Sequence, residues 1–194
     1  MLDLRDKRKL LSRQELKTAQ TIAAQVIDTP KLSVWMILIP IVFVYYFYSF
    51  HRYSTGRKDF VKSFIKTRSL ILDEACTFVE SGEKPDFLVL AREDNVPENA
   101  VGAYKNWAQV LFEHYVKLLG SEGDSYPSLV KARYKEQGTY LLILDQINKA
   151  ESLFYKALRK DLKDSVDDVG EMIKKIEDSL GLLRREEARL VFTS

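Results

Sequence analysis

The sequence predicts an all-α protein, in which a proline-kinked membrane-anchor helix continues into an antiparallel helical bundle with a heptad-patterned C-terminal helix. Three observations predict it. Residues Leu32 to Phe50, LSVWMILIPIVFVYYFYSF, carry no charge over 19 positions. Elsewhere apolar residues recur every three or four positions, the spacing of one buried helix face. Only eight glycines and five prolines interrupt 194 residues, whereas a sandwich or barrel turns about every 8 to 12 residues. Apolar residues at 46% and charged residues at 30% exclude collagen-like and wholly disordered chains.

The uncharged stretch, residues 32–50, reads as the anchor. At about 1.5 Å per residue its helix reaches roughly 28 Å, close to the hydrocarbon thickness of a bilayer. Leu32 and Phe50 bound the run; Trp35 lies near one end, and Tyr45, Tyr46, Tyr48 and Tyr53 crowd the other, as an interfacial belt requires. The competing reading is a buried helix of a soluble core, but such helices rarely exceed about 14 apolar residues. The run starts too far into the chain for a cleavable signal, and no small-residue cleavage pattern follows it, so the segment is expected to be retained.

Pro40 sits near the middle of this run, where it removes a backbone donor and bends the helix. Two topologies follow. One is a kinked single span. The other is a re-entrant hairpin with arms of roughly 12 to 15 Å, about half the bilayer each, which needs protein cover for its broken backbone. Both flanks are basic. Residues 1–31 hold seven Lys/Arg against four acids, and Arg52 to Arg68 hold six against Asp59 alone. The positive-inside rule places the C-terminal part in the cytoplasm.

Residues 1–31 form a basic amphipathic arm. Ser12-Arg13-Gln14-Glu15 is a capping-box pattern, followed by Leu16, Ala19, Ile22, Ala23, Val26 and Ile27 at helical spacing, with a stop at Asp28-Thr29-Pro30. Its apolar face suits either anionic lipid headgroups or the protein's own bundle. Residues 51–82 read as a juxtamembrane helix. Phe60, Val61, Phe64, Ile65, Arg68, Leu72, Cys76 and Val79 share one side, and Ser81-Gly82 supplies the stop. Arg52, Arg57, Lys58, Lys62 and Lys66 lie nearest the bilayer, where a contact with acidic phospholipid is worth about 1 kcal/mol each.

Residues 83–194 read as an acidic helical bundle. From Asp73 onward 17 Lys/Arg face 23 Asp/Glu, a balance that repels phosphate backbones and argues against nucleic acid as a partner. Glu83 to Asn95 reads as a connection whose apolar island, Phe87 to Ala91, is a turn or brief strand. Helices follow from Pro97 to Gly120 and from Pro127 through Leu158. A heptad seam then runs through Leu162, Val166, Val169, Ile173, Ile176, Leu180 and Leu183 until Glu187 interrupts it, and Asp164 or Ser165, followed by Asp167 and Asp168, reads as a fresh helix start. That seam either packs within the protein's own bundle or binds a partner helix or a second copy.

Catalytic constellations are missing from the sequence. One cysteine allows no internal disulfide, and His51 and His114 are the only histidines. There is no paired Glu-x-x-His, no zinc spacing, no phosphate-cradling glycine loop and no Gly-x-Ser-x-Gly. No catalytic residue, metal or cofactor is expected. Pro30-x-Leu32-Ser33-Val34-Trp35, Ile39-Pro40 and Gly56-Arg57-Lys58 give the segment from Thr29 to Arg68 a pattern that resembles uncharacterised bacterial single-anchor membrane proteins. The resemblance implies a place at the bacterial inner membrane and no activity. The expectation is a non-enzymatic scaffold or adaptor that gathers a protein partner at the cytoplasmic face. The alternatives are an accessory subunit of a larger membrane complex and a monotopic enzyme on a re-entrant anchor.

Overall fold

Seven helices and no strand make up the described residues, 2–26, 56–159 and 167–193, of the computed structural model. The all-α expectation therefore holds for them. In chain order they are α1 (Leu4–Val26), α2 (Gly56–Ser81), α3 (Phe87–Glu93), α4 (Glu98–Leu119), α5 (Tyr126–Tyr134), α6 (Gln137–Arg159) and α7 (Asp167–Thr193).

Several boundaries differ from the sequence reading, each for a local reason. α1 starts at Leu4, because the Asp3 carboxylate accepts the Asp6 N–H at 2.8 Å and its carbonyl accepts that of Lys7 at 3.1 Å. Ser12 thus lies inside the helix, and Glu15 is freed from capping. The Phe87–Ala91 island belongs to a two-turn helix, since the Asp86 side chain accepts the Leu88 N–H at 2.8 Å. Pro97 precedes α4 as its capping residue instead of opening it. The helix expected from Pro127 through Leu158 is two helices. They part at Lys135, whose φ of +63° no α-helix accommodates. Ser125 and Ser128 cap the first of the two reciprocally. The stop after Ser81 is as expected: Gly82 adopts φ +77° and its N–H reaches the Phe78 carbonyl at 2.8 Å.

Side-chain pairings set the helix directions. α1 runs antiparallel to α2, with Arg8 on Asp73 and Glu15 on Arg68. It also runs antiparallel to α7, with Gln14 on Glu187 near one end and Ile22 in the same cluster as Ile176 and Leu180 near the other. α4 and α6 are antiparallel: Tyr104 meets Phe154, and His114 meets Tyr140. α6 and α7 are likewise, with Asn148 on Arg184 and Tyr140 near Phe192. The described helices of residues 1–31 and 51–82, α1 and α2, therefore pack as walls of one bundle, the second of the two settings that suit the apolar face of α1.

The main core lies between α2, α4, α6 and α7, with Leu11 reaching in from α1. Ile71, Tyr104, Ala108, Leu118, Leu129 and Tyr140 are essentially fully buried there. Trp107 stacks on Phe154 at 5.4 Å between ring centroids. Aromatic side chains of this size each contribute about 1.5 to 3 kcal/mol of transfer free energy. A smaller cluster closes the end of the bundle where α1 finishes and α2 and α7 begin: Ala19, Ile22, Ala23, Phe60, Phe64, Ile176 and Leu180.

Candidate functional site

Charge is buried at the centre of the bundle. Arg68 of α2 is 3% exposed and Glu151 of α6 is 2% exposed, and an Nη2 of the guanidinium donates to Glu151 Oε1. The Tyr155 hydroxyl donates to that same oxygen at 2.9 Å, and Arg184 Nη2 donates to Glu151 Oε2 at 3.0 Å. Arg184 Nη1 donates in turn to the Asn148 side-chain oxygen. From α1, Glu15 Oε2 stands 3.2 Å from Arg68 Nε, an ion pair without hydrogen-bond alignment. Tyr115 of α4 donates to Glu15 Oε1 at 2.7 Å. The flat face of Arg68 lies 3.6 Å over the centre of the Phe64 ring, the stacking that a planar guanidinium favours.

Two carboxylates and two guanidinium groups thus compensate each other, with all five long helices contributing a member. Burial by itself would raise the Glu151 carboxyl, but Arg68 and Arg184 outweigh it and hold the group below the usual carboxylate range. For Glu15 burial dominates over Arg68 and Tyr115, and its carboxyl lies above that range. Arg68 is raised further, because Glu151 and Glu15 overcome its desolvation. Both oxygens of Glu151 are committed to donors, so the group is occupied as a structural acceptor and not poised as a base.

A second polar group ties α1, α5, α6 and α7. Glu187 Oε1 accepts from Tyr126 at 2.7 Å and from Tyr140, and Glu187 Oε2 accepts from Gln14 at 2.7 Å. These three donors explain why an acid interrupts the heptad seam at that position. Beside it, buried His114 Nδ1 lies 2.6 Å from the Tyr134 hydroxyl. Burial, then Arg184 and Lys117, push its pKa down to about 3, so it is a neutral imidazole. At the end of α4 the buried Lys7 ammonium donates to the Leu119 and Ser121 carbonyls at 2.9 and 2.6 Å, satisfying a helix C-terminus with a cation.

The surface offers a groove between α6 and α7, about 810 Å³, lined among others by Lys149, Leu153, Lys156, Glu177, Leu182 and Arg185. Leu153 and Leu182 are 54% and 65% exposed along it.

The residues expected to act from the sequence fall in different places. The anchor positions Leu32, Trp35, Pro40, Tyr45, Tyr46, Tyr48 and Phe50, together with Arg52, lie outside the described residues, as do Leu162 and Val166. No helix among the described residues is long and apolar enough to cross a membrane. Arg57 lies in α2, and Val169 and Ile173 lie in α7. Lys58 and Lys62 are exposed, whereas Lys66 reaches Asp94 at 3.3 Å. Ile176 and Leu180 are buried against α1 and α2 of the same chain, with Leu183 packed beside them. Those three seam positions are therefore filled from within, because α1 folds back over the seam. Cys76 is half-buried, and burial lifts its thiol to about 11. Among the described residues no group of three or more His, Cys, Asp or Glu is placed to hold a metal ion.

Glu15, Glu151 and Arg184 were not expected at the centre, and Arg68 was expected there only as part of an apolar face. The signal was present. Leu11-Glu15-Ala19, Phe64-Arg68-Leu72, Ile147-Glu151-Phe154 and Leu180-Arg184-Ala188 each set a charge inside a stripe of buried apolar neighbours three or four residues away.

Searches against protein-family models, curated proteins and solved structures find no match for the chain.

Proposed function

We propose that this protein is a non-enzymatic helical scaffold, held at the cytoplasmic face of a bacterial inner membrane by residues 32–50, that gathers a protein partner there. The observation that carries the reading is the uncharged run of 19 residues set between α1 and α2, two helices locked into a bundle whose central charges are paired internally. Exposed Lys58 and Lys62, at the start of α2, suit contact with anionic headgroups. Extraction decides it. The full-length protein should stay with membranes through a high-pH carbonate wash and enter solution with detergent. It should also float with vesicles containing anionic lipid, and Lys58→Glu with Lys62→Glu should lower that binding severalfold. Recovery in the wash supernatant would refute the anchor.

A second reading, an accessory subunit of a larger membrane complex, draws on the exposed leucines of α6 and α7. Leu142, Leu153, Leu182 and Leu190 are all more than half exposed, and apolar side chains on two adjacent helices suit a partner helix. Purification in mild detergent separates the readings, since a subunit would leave with stoichiometric companions.

A further inference from the structure

The antiparallel packing of α1 on α2 fixes something the sequence left open, and the inference rests on the membrane reading above. The two helices are in contact along most of their length. Arg8 pairs with Asp73, Glu15 with Arg68, and Ala19, Ile22 and Ala23 pack against Phe60 and Phe64. Val26, where α1 finishes, and Gly56, where α2 starts, therefore lie at the same end of the bundle. A single span over residues 32–50 would put α1 and α2 on opposite sides of the bilayer. It would strip Ile22, Ala19 and Leu11 of their cover, leave Arg68 without Glu15, and pull the buried Lys7 ammonium from the end of α4. Those losses would uncover apolar side chains and leave buried polar groups of the bundle with fewer partners.

We infer that the protein is monotopic: the chain enters and leaves the membrane on one side, and the end of the bundle bearing Val26 and Gly56 rests on an anionic lipid surface. Exposed lysines near that end suit such a surface: Lys58 and Lys62 lie beside Phe60 on α2, and Lys174 and Lys175 precede Ile176 on α7, with Asp178 exposed after it. Basic side chains so placed are drawn to acidic headgroups within a Debye length of the surface. The sequence adds that Pro40 divides the uncharged run into two arms, each long enough for roughly half a bilayer.

Single-cysteine mapping tests this on the full-length, membrane-bound protein. In a Cys76→Ser background, Lys9→Cys reports α1 and Lys84→Cys reports the loop after α2, both exposed positions. A membrane-impermeant maleimide applied to intact spheroplasts should leave both unlabelled, and lysis should open both together. Labelling of both in intact cells would equally place them on one side and support the shared face. Labelling of one alone would overturn the inference while leaving the anchor in place. As a second measurement, Arg8→Cys with Asp73→Cys should form an oxidised cross-link in the washed membrane fraction, since their side chains touch there. Absence of that cross-link, with one-sided labelling, confirms the overturn. Appearance of the protein in the wash supernatant instead removes the membrane reading and this inference with it.

Discussion

Arg68 and Glu151 lie 83 residues apart in sequence, on helices that do not adjoin in the chain, and meet as a hydrogen-bonded ion pair with less than a twentieth of either residue exposed. A charge buried this deeply is worth little as a source of stability, since desolvation consumes most of the attraction. Its effect is directional. Only one arrangement of α1, α2, α6 and α7 brings Glu15, Arg68, Glu151 and Arg184 into mutual reach, so any slip of a helix leaves a charge alone in the core.

That asymmetry predicts unequal effects of similar substitutions. Glu151→Gln leaves Arg68 and Arg184 with one carboxylate between them and should lose about 3 to 5 kcal/mol. Glu15→Gln leaves Arg68 its second partner and should lose about 1 to 2 kcal/mol. Urea unfolding at neutral pH measures both. Equal losses would mean that the pairing around Glu151 is not central.

Acid should weaken the bundle in two stages. His114 is neutral in the folded protein with a pKa near 3, against about 6.5 unfolded. The unfolded chain therefore binds the extra proton, and stability falls by up to about 1.4 kcal/mol per pH unit as pH drops below about 6.5. Glu151 adds its share lower down. Its depressed carboxyl stabilises above the ordinary carboxylate range and loses that contribution as pH falls through the folded value. His114→Phe should flatten the slope between pH 6 and 4.5 and leave the lower stage intact. An unchanged slope would contradict a neutral His114.

Gly123 tests the capping loop. A Cβ there would lie 2.4 Å from Ser128 Oγ and 2.9 Å from the Leu129 backbone nitrogen. Gly123→Ala should therefore push Ser128 out of its reciprocal contact with Ser125 and lose about 1 to 3 kcal/mol. Thermal melting would show it. Ser128→Ala should lose less, because it removes one cap without a clash.

Cys76 should be slow toward thiol reagents. With its pKa raised to about 11 by burial, little thiolate exists at pH 8. Reaction with a disulfide reagent should be many times faster in guanidinium than in native buffer, and comparable rates would show the site to be open.

Most of the helical architecture was legible because helical periodicity survives averaging: the apolar stripes of α4, α6 and α7 are regular. What was not legible depended on which helix lies opposite. Ser12 to Glu15 has the composition of a helix start, yet Asp3 caps first and the Glu15 side chain is claimed by Tyr115 and Arg68 from two other helices. The break at Lys135 carries no proline, and Gly138 lies beyond it; tertiary packing that stacks Tyr134 and Tyr140 on His114 accompanies it. The four central charges were visible as exceptions to their stripes, but a single charge in a stripe reads as noise until its partner is known. Residues 32–50 lie outside what the structure describes.

The closure of α1 by α7 also sets an order of events during synthesis. The apolar side of α1 emerges from the ribosome early, while Ile176 and Leu180, which cover it, and Glu187, which receives Gln14, follow well over a hundred residues later. Until then α2 can cover one side of the first helix, but the side that meets α7 stays open, and the nascent chain must keep it from other surfaces before the last wall arrives.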